Sequence, residues 1–231
     1  MAGRSATAWP RAAALALLLP LPVAACATSP AVDFGAAPAL GAVPPADRSQ
    51  HGAAAEWSQH WHRVRDRWTR TAHITHDWDT ALDARVALVS PEYRAAYVRF
   101  LSGMRGYSDT RRDELASDQR ADGERFVEVW VSMQTSRWEW NDLSSARSVW
   151  NLTFQDGSGR TVEPLERAPI SLKGAELAEL FPDVTPFTMA WRVRFPIAFP
   201  DGTPLMPPAG GRARIRFAGP LGDDTVEWRA R

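Results

Sequence analysis

The chain has 231 residues, with 27 basic and 27 acidic side chains and no net charge, so nothing global directs it to nucleic acid or to a polybasic contact with a membrane. Hydrophobic residues make up 45% of it and there are 11 tryptophans, ample for a packed core and unlike a disordered chain. The single cysteine, Cys26, excludes an internal disulfide and a multi-thiolate metal cluster.

Arg4 and Arg11 precede an apolar run over 12–23, which ends in Ala24, Ala25 and Cys26. That is the layout of an export signal: a positive start, an apolar stretch, then small residues. A spanning helix needs about 20 apolar residues, and Pro20 and Pro22 interrupt this shorter run. Residues 1–25 are therefore expected to be a cleaved signal. Val23-Ala24-Ala25-Cys26 resembles the lipobox of bacterial lipoproteins, with valine where leucine is commoner. The resemblance implies that Cys26 is acylated and becomes the new N-terminus, which makes the membrane a partner through the lipid. Ala27, where no Asp stands, resembles the outer-membrane-sorted class of Gram-negative lipoproteins, and the expected place is the outer membrane, on its periplasmic face. Two or more acyl chains hold a protein stably on a bilayer.

Residues 26–55 are rich in Ala and Pro, with Pro30, Pro38, Pro44 and Pro45 opposing helix. They read as a disordered tether, leaving 56–231 as one globular domain. Trp57, Trp61, Val64 and Trp68 fall at helical spacing and predict a helix over 56–70 with one apolar stripe. From Ala72 the period becomes two, which predicts a long strand to about Leu88, broken near Asp79. Ser90-Pro91-Glu92 is a helix start, with Ser as cap, Pro in the first turn and a carboxylate at the positive helix end. That helix runs to about Met104, and a polar helix covers 109–121.

Residues 126–133, FVEVWVSM, predict a strand buried on both faces. Further strands are expected over 149–155, 161–165, 187–199, 213–217 and 225–229, with a short helix at 175–181. Several short strands with Gly/Pro turns predict an α+β, mainly β fold. It is an antiparallel β-sandwich, loosely Ig-like or jelly-roll-like, with N-terminal helices packed on it. Residues 56–122 supply the helices and one strand, and 123–231 the sandwich. The mature region also resembles uncharacterised proteobacterial envelope lipoproteins. The matching motifs are the SPEYR helix start at 90–94, the W–N–D–L loop at 140–143, and the F–P pair at 181–182 or 195–196. That resemblance implies no activity.

Three groups of residues are candidates for chemistry. His60, His62, His73 and His76 lie close in sequence to Asp77 and Asp79, ligand types suited to zinc. Their spacing lacks the i, i+4 helical pair of a metalloprotease, so His73, His76, Asp77 and Asp79 are weak metal candidates. Arg192 and Arg194 share one strand face, and Arg212, Arg214 and Arg216 share one face of the next. If those strands pair, five guanidinium groups make a plate suited to phosphates or carboxylates. The competing expectation is that Glu128, Glu163 and Glu227 pair with them across strands. Trp138 and Trp140, in RWEWND, could stack on sugar rings, or Trp140 could plug the end of the sandwich.

No nucleophile elbow, phosphate loop or assignable acid/base pair is present, and no cofactor is expected. The sequence thus points to a membrane-anchored envelope lipoprotein with a structural or binding role. Its partner would be an envelope protein, a glycan or an anionic lipid. The alternative is an envelope-polymer hydrolase or metal-dependent enzyme using the His/Asp cluster at 60–79.

Overall fold

The computed structural model describes residues 31–34, 51–172 and 174–231. The expected signal, Cys26 and most of the expected tether lie outside the described residues.

Helix α1 (His51–Trp68) carries the predicted stripe. Trp61, Val64 and Trp68 are buried, and the Trp57 ring lies against Gly103, where a Cβ would come within 2.5 Å of it. The helix starts at His51, inside the stretch expected to be tether. The predicted long strand is a hairpin, β1 (Thr69–His76) and β2 (Asp79–Leu88), paired antiparallel. The chain reverses at Asp77, whose φ is 55°, a left-handed backbone that aspartate tolerates better than most residues. Ser90 caps α2 (Pro91–Arg105), its hydroxyl accepting from the Tyr93 N–H, and Gly106 ends that helix at φ 61°. The polar helix α3 (Asp109–Arg125) runs through Gly123 and feeds β3 (Phe126–Gln134).

The remaining elements are β4 (Asn151–Asp156), β5 (Thr161–Val162), β6 (Glu166–Pro169), α4 (Ala175–Leu180), β7 (Met189–Pro196), β8 (Arg212–Gly219) and β9 (Gly222–Arg229). Two antiparallel sheets result, in the orders β1-β2-β3-β7-β6 and β5-β4-β8-β9. The fold is α+β and mainly β, a β-sandwich with helices packed on it.

Alternation in β3 explains its burial on both faces. Val127, Val129 and Val131 pair with Phe195, Val193 and Trp191 of β7. The Phe195 ring meets Phe154 of β4 at 5.8 Å, so this face looks into the sandwich. Trp130 is on the other face, where its ring meets Tyr93 and Tyr97 of α2 at 5.5 and 5.0 Å. Trp61 of α1 joins the same cluster. The helices therefore cover the outer face of the five-stranded sheet, and one continuous core runs from α1 to β9.

Residues 31–34 correct the tether expectation. Val32 is 1% exposed and bridges Ala230 in parallel. Its N–H donates to the Arg229 carbonyl at 2.7 Å, and its own carbonyl accepts from the Arg231 N–H at 2.9 Å. Phe34 packs against Trp68 at 5.6 Å. Val32 and Phe34 supply the apolar surface that docks.

The β4–β5 turn gives a pH-dependent prediction. Asp156 accepts from the Ser158 and Arg160 N–H groups, the Ser158 hydroxyl and the Arg160 guanidinium. Burial alone would raise its pKa, but these bonds outweigh it and hold the carboxyl at about 2. A depressed pKa stabilises the fold above the ordinary carboxylate range, and that contribution is lost as pH falls toward the folded value. Asp156→Asn should therefore flatten the loss of stability between about pH 4 and about pH 2. Urea titrations across that window check it, and an unchanged slope would contradict it.

Candidate functional site

The histidines and aspartates at 60–79 are not brought together. His60 and His62 are on α1, and His62 Nε2 lies 2.9 Å from a Glu179 carboxylate oxygen. Burial, then Arg99 and Arg63, lower the His60 pKa. His73 is exposed on β1, with its backbone N–H donating to Asp224. His76, Asp77 and Asp79 are exposed at the hairpin tip, with His76 Nε2 3.7 Å from an Asp77 oxygen. The eight residues of β1 separate α1 from that tip, a span of about 25 Å. Among the described residues no three His, Cys, Asp or Glu side chains come together to hold a metal ion.

The arginine plate does not form, because β7 and β8 belong to different sheets. Arg192 and Arg194 lie on the helix-covered face of the first sheet. Arg212, Arg214 and Arg216 alternate with the buried Ala213, Ile215 and Phe217 on the outer face of the second. Each is paired with carboxylate: Arg212 and Arg214 with Glu227, Arg216 with Asp223, and Arg192 with Glu166. Glu128 and Glu227 are partners as expected, while Glu166 rather than Glu163 pairs with β7.

The paired-tryptophan platform does not form either. Trp138 is 59% exposed, whereas Trp140 is half-buried with the Arg137 guanidinium 4.9 Å over its ring. Nor is Trp140 the plug, since Asn141 and Leu143 are the buried residues of this loop. Asn141 donates from its side-chain amide to the Phe187 carbonyl, and its backbone carbonyl accepts from Trp191 Nε1.

The site with convergent features lies where the end of β2, the start of α2 and the end of α3 meet the start of β3 and the connection after β7. A cavity of about 430 Å³ opens there, lined by Phe34, Leu88, Val89, Pro91, Phe126, Val127, Ile197 and Met206 among others, with Arg94 and Glu128. Its size is in the range of small-molecule pockets, which are mostly apolar with a few placed polar groups. Glu128 is 2% exposed. Its carboxylate accepts from Trp130 Nε1 at 2.6 Å and Arg194 Nε at 3.1 Å. Arg194 also reaches Asp122 at 2.7 Å and Glu166 at 3.2 Å. Burial lowers the Arg194 pKa, but the bond to Glu128 and the surrounding carboxylates together raise it.

Arg94 is 6% exposed. It donates from Nη1 to Gln119 at 3.0 Å. Its buried Nη2 has no hydrogen bond, the nearest Glu128 oxygen lying at 3.7 Å, beyond hydrogen-bond length. Burial lowers the Arg94 pKa against the opposing pull of Glu128 and Asp122. Gly123 makes room for this side chain, since a Cβ there would sit 3.2 Å from Arg94 Nε. Sequence reasoning singled out neither Arg94 nor this cavity. The available signals were a charged residue in the middle of FVEVWVSM and an arginine inside the apolar turn of SPEYRAAY.

No protein-family model matches this chain, and no curated protein matches it. Among solved structures, it is similar to a protein of unknown function from Burkholderia pseudomallei. The two share 10% identity at a TM-score of 0.38, over 76% of this chain and 86% of that one.

Proposed function

We propose that this chain is a bacterial envelope lipoprotein, held at the outer membrane through an acylated Cys26, whose domain binds an apolar or amphiphilic molecule without transforming it. The N-terminal sequence ending at Val23-Ala24-Ala25-Cys26 supports the anchor. The observation that carries the binding role is the half-satisfied Arg94 guanidinium beside the apolar cavity. Guanidinium stays protonated in proteins and serves as a donor. The Glu128 carboxylate is held by hydrogen bonds from Trp130 and Arg194, with the Arg94 guanidinium 3.7 Å away. Both groups suit recognition and neither suits proton transfer. The hydrolase alternative gains no support, because its histidines and aspartates are spread along α1 and the hairpin.

The anchor is tested by Cys26→Ser. Cell fractionation should move most of the protein from the membrane pellet to the soluble fraction. Continued sedimentation with membranes would overturn the lipid anchor.

A further inference from the structure

We infer that the cavity receives an acyl ester of a membrane lipid, with the hydrocarbon chain along its apolar wall and the ester carbonyl accepting from Nη2 of Arg94. The inference rests on the reading of the cavity as a binding site and adds the class of ligand.

Three observations lead to it. The first is a buried donor without a hydrogen bond, Nη2 of Arg94, whose ion-pair partner Glu128 stands 3.7 Å away. A buried N–H left without an acceptor is costly, and a charged one more so, while Arg94 Nη2 lies within the structure with no hydrogen bond. An acceptor oxygen entering the cavity would relieve that cost.

The second is the charge balance. Arg94, Arg192 and Arg194 are met by Asp122, Glu128 and Glu166, three cations against three carboxylates, and Arg120 and Glu124, which also line the cavity, add one charge of each sign. A ligand carboxylate would add an uncompensated negative charge beside the buried Glu128 and pay its own desolvation. A neutral carbonyl oxygen takes the free N–H and brings no charge. The site therefore discriminates an ester from the acid of the same chain length.

The third is the wall. Leu88, Val89, Phe126, Val127 and Met206 give an entering chain an apolar wall, while Ser90, Gln119, Arg120 and Glu124 also line the cavity. Phe34 completes the wall from the docked segment, two residues beyond the buried Val32. The cavity is thus bounded by the part of the chain that leads back toward Cys26, which favours a bilayer as the source of the ligand.

The test is equilibrium dialysis of the purified full chain against radiolabelled methyl palmitate and, separately, palmitate. The ester is expected to bind at one per chain and about tenfold more tightly than the acid, the scale of one hydrogen bond to a charged donor. Arg94→Met should weaken the ester by about tenfold and remove most of the preference. Met206→Trp, which fills the cavity from a half-buried position, should abolish binding of both. Equal binding of acid and ester by the unaltered chain would overturn the inference and leave a hydrophobic binding site standing. So would an ester preference that survives Arg94→Met. Failure of the unaltered chain to bind either probe would overturn the cavity reading itself.

Discussion

Replacing Glu128 with glutamine is expected to lower folding stability by about 3–5 kcal/mol. The substitution keeps volume and shape and removes one charge. Glu128 is buried on the helix-facing side of β3 between Arg94 and Arg194, both of which are themselves largely buried. Without the carboxylate, two guanidinium groups stay in a low-dielectric layer facing only Asp122 and Glu166. Breaking a buried pair by removing one partner costs more than the pair contributes, because a desolvated charge remains. For a domain of this size the loss corresponds to a fall in Tm on the order of 10 °C. Glu163→Gln supplies the comparison. Glu163 is exposed, and its replacement should change stability by less than about 0.5 kcal/mol. Denaturant titration of both variants decides the matter, and similar midpoints would contradict the account of the Glu128 network.

Val32→Asp is expected to release residues 31–34 from the domain while leaving the sandwich folded. Docking removes the Val32 side chain from water, a gain of about 1.5–3 kcal/mol. An aspartate there would have to be buried without a partner, so the segment should leave. The Arg231 N–H, bonded to the Val32 carbonyl at 2.9 Å, should then lose its protection in hydrogen exchange. The amides of β3 and β7 should keep theirs. Continued protection of Arg231 would contradict the docking.

The docked segment also changes how the proposed anchor would act. Six links join Cys26 to Val32, a reach of about 20 Å. A lipid on Cys26 would therefore hold the Val32 side of the domain close to the bilayer. Read as a continuous tether to position 55, the same sequence suggested a domain free to stand well away.

Much of the fold was legible because burial imposes a period on the sequence. The Trp57-Trp61-Val64-Trp68 stripe marked α1, Ser90-Pro91 marked the start of α2, and FVEVWVSM marked a strand enclosed on both faces. The alternation at 187–199 and 213–217 marked β7 and β8. Period two assigns a residue to a face and leaves the partner strand open. Both strands carry arginines on one face, and they are successive in sequence. The connection from Ile197 to Gly211, with four prolines, carries the chain from one sheet to the other, so the two arginine sets end on opposite outer faces. The early hairpin read as one strand because Asp77-Trp78-Asp79 lacks the Gly or Asn that usually marks a tight turn. The cavity was illegible for a different reason. It joins residues from position 34 to position 206, and no local pattern records which apolar residues end up lining a gap. Glu128 did leave a trace, as the one charge inside the buried strand.

The most direct test of the central claim is the intact mass of the protein isolated from membranes. The account predicts a chain that begins at Cys26 and carries covalent acyl groups on that residue. A chain that retains residues before Cys26, or begins there with an unmodified thiol, would contradict it.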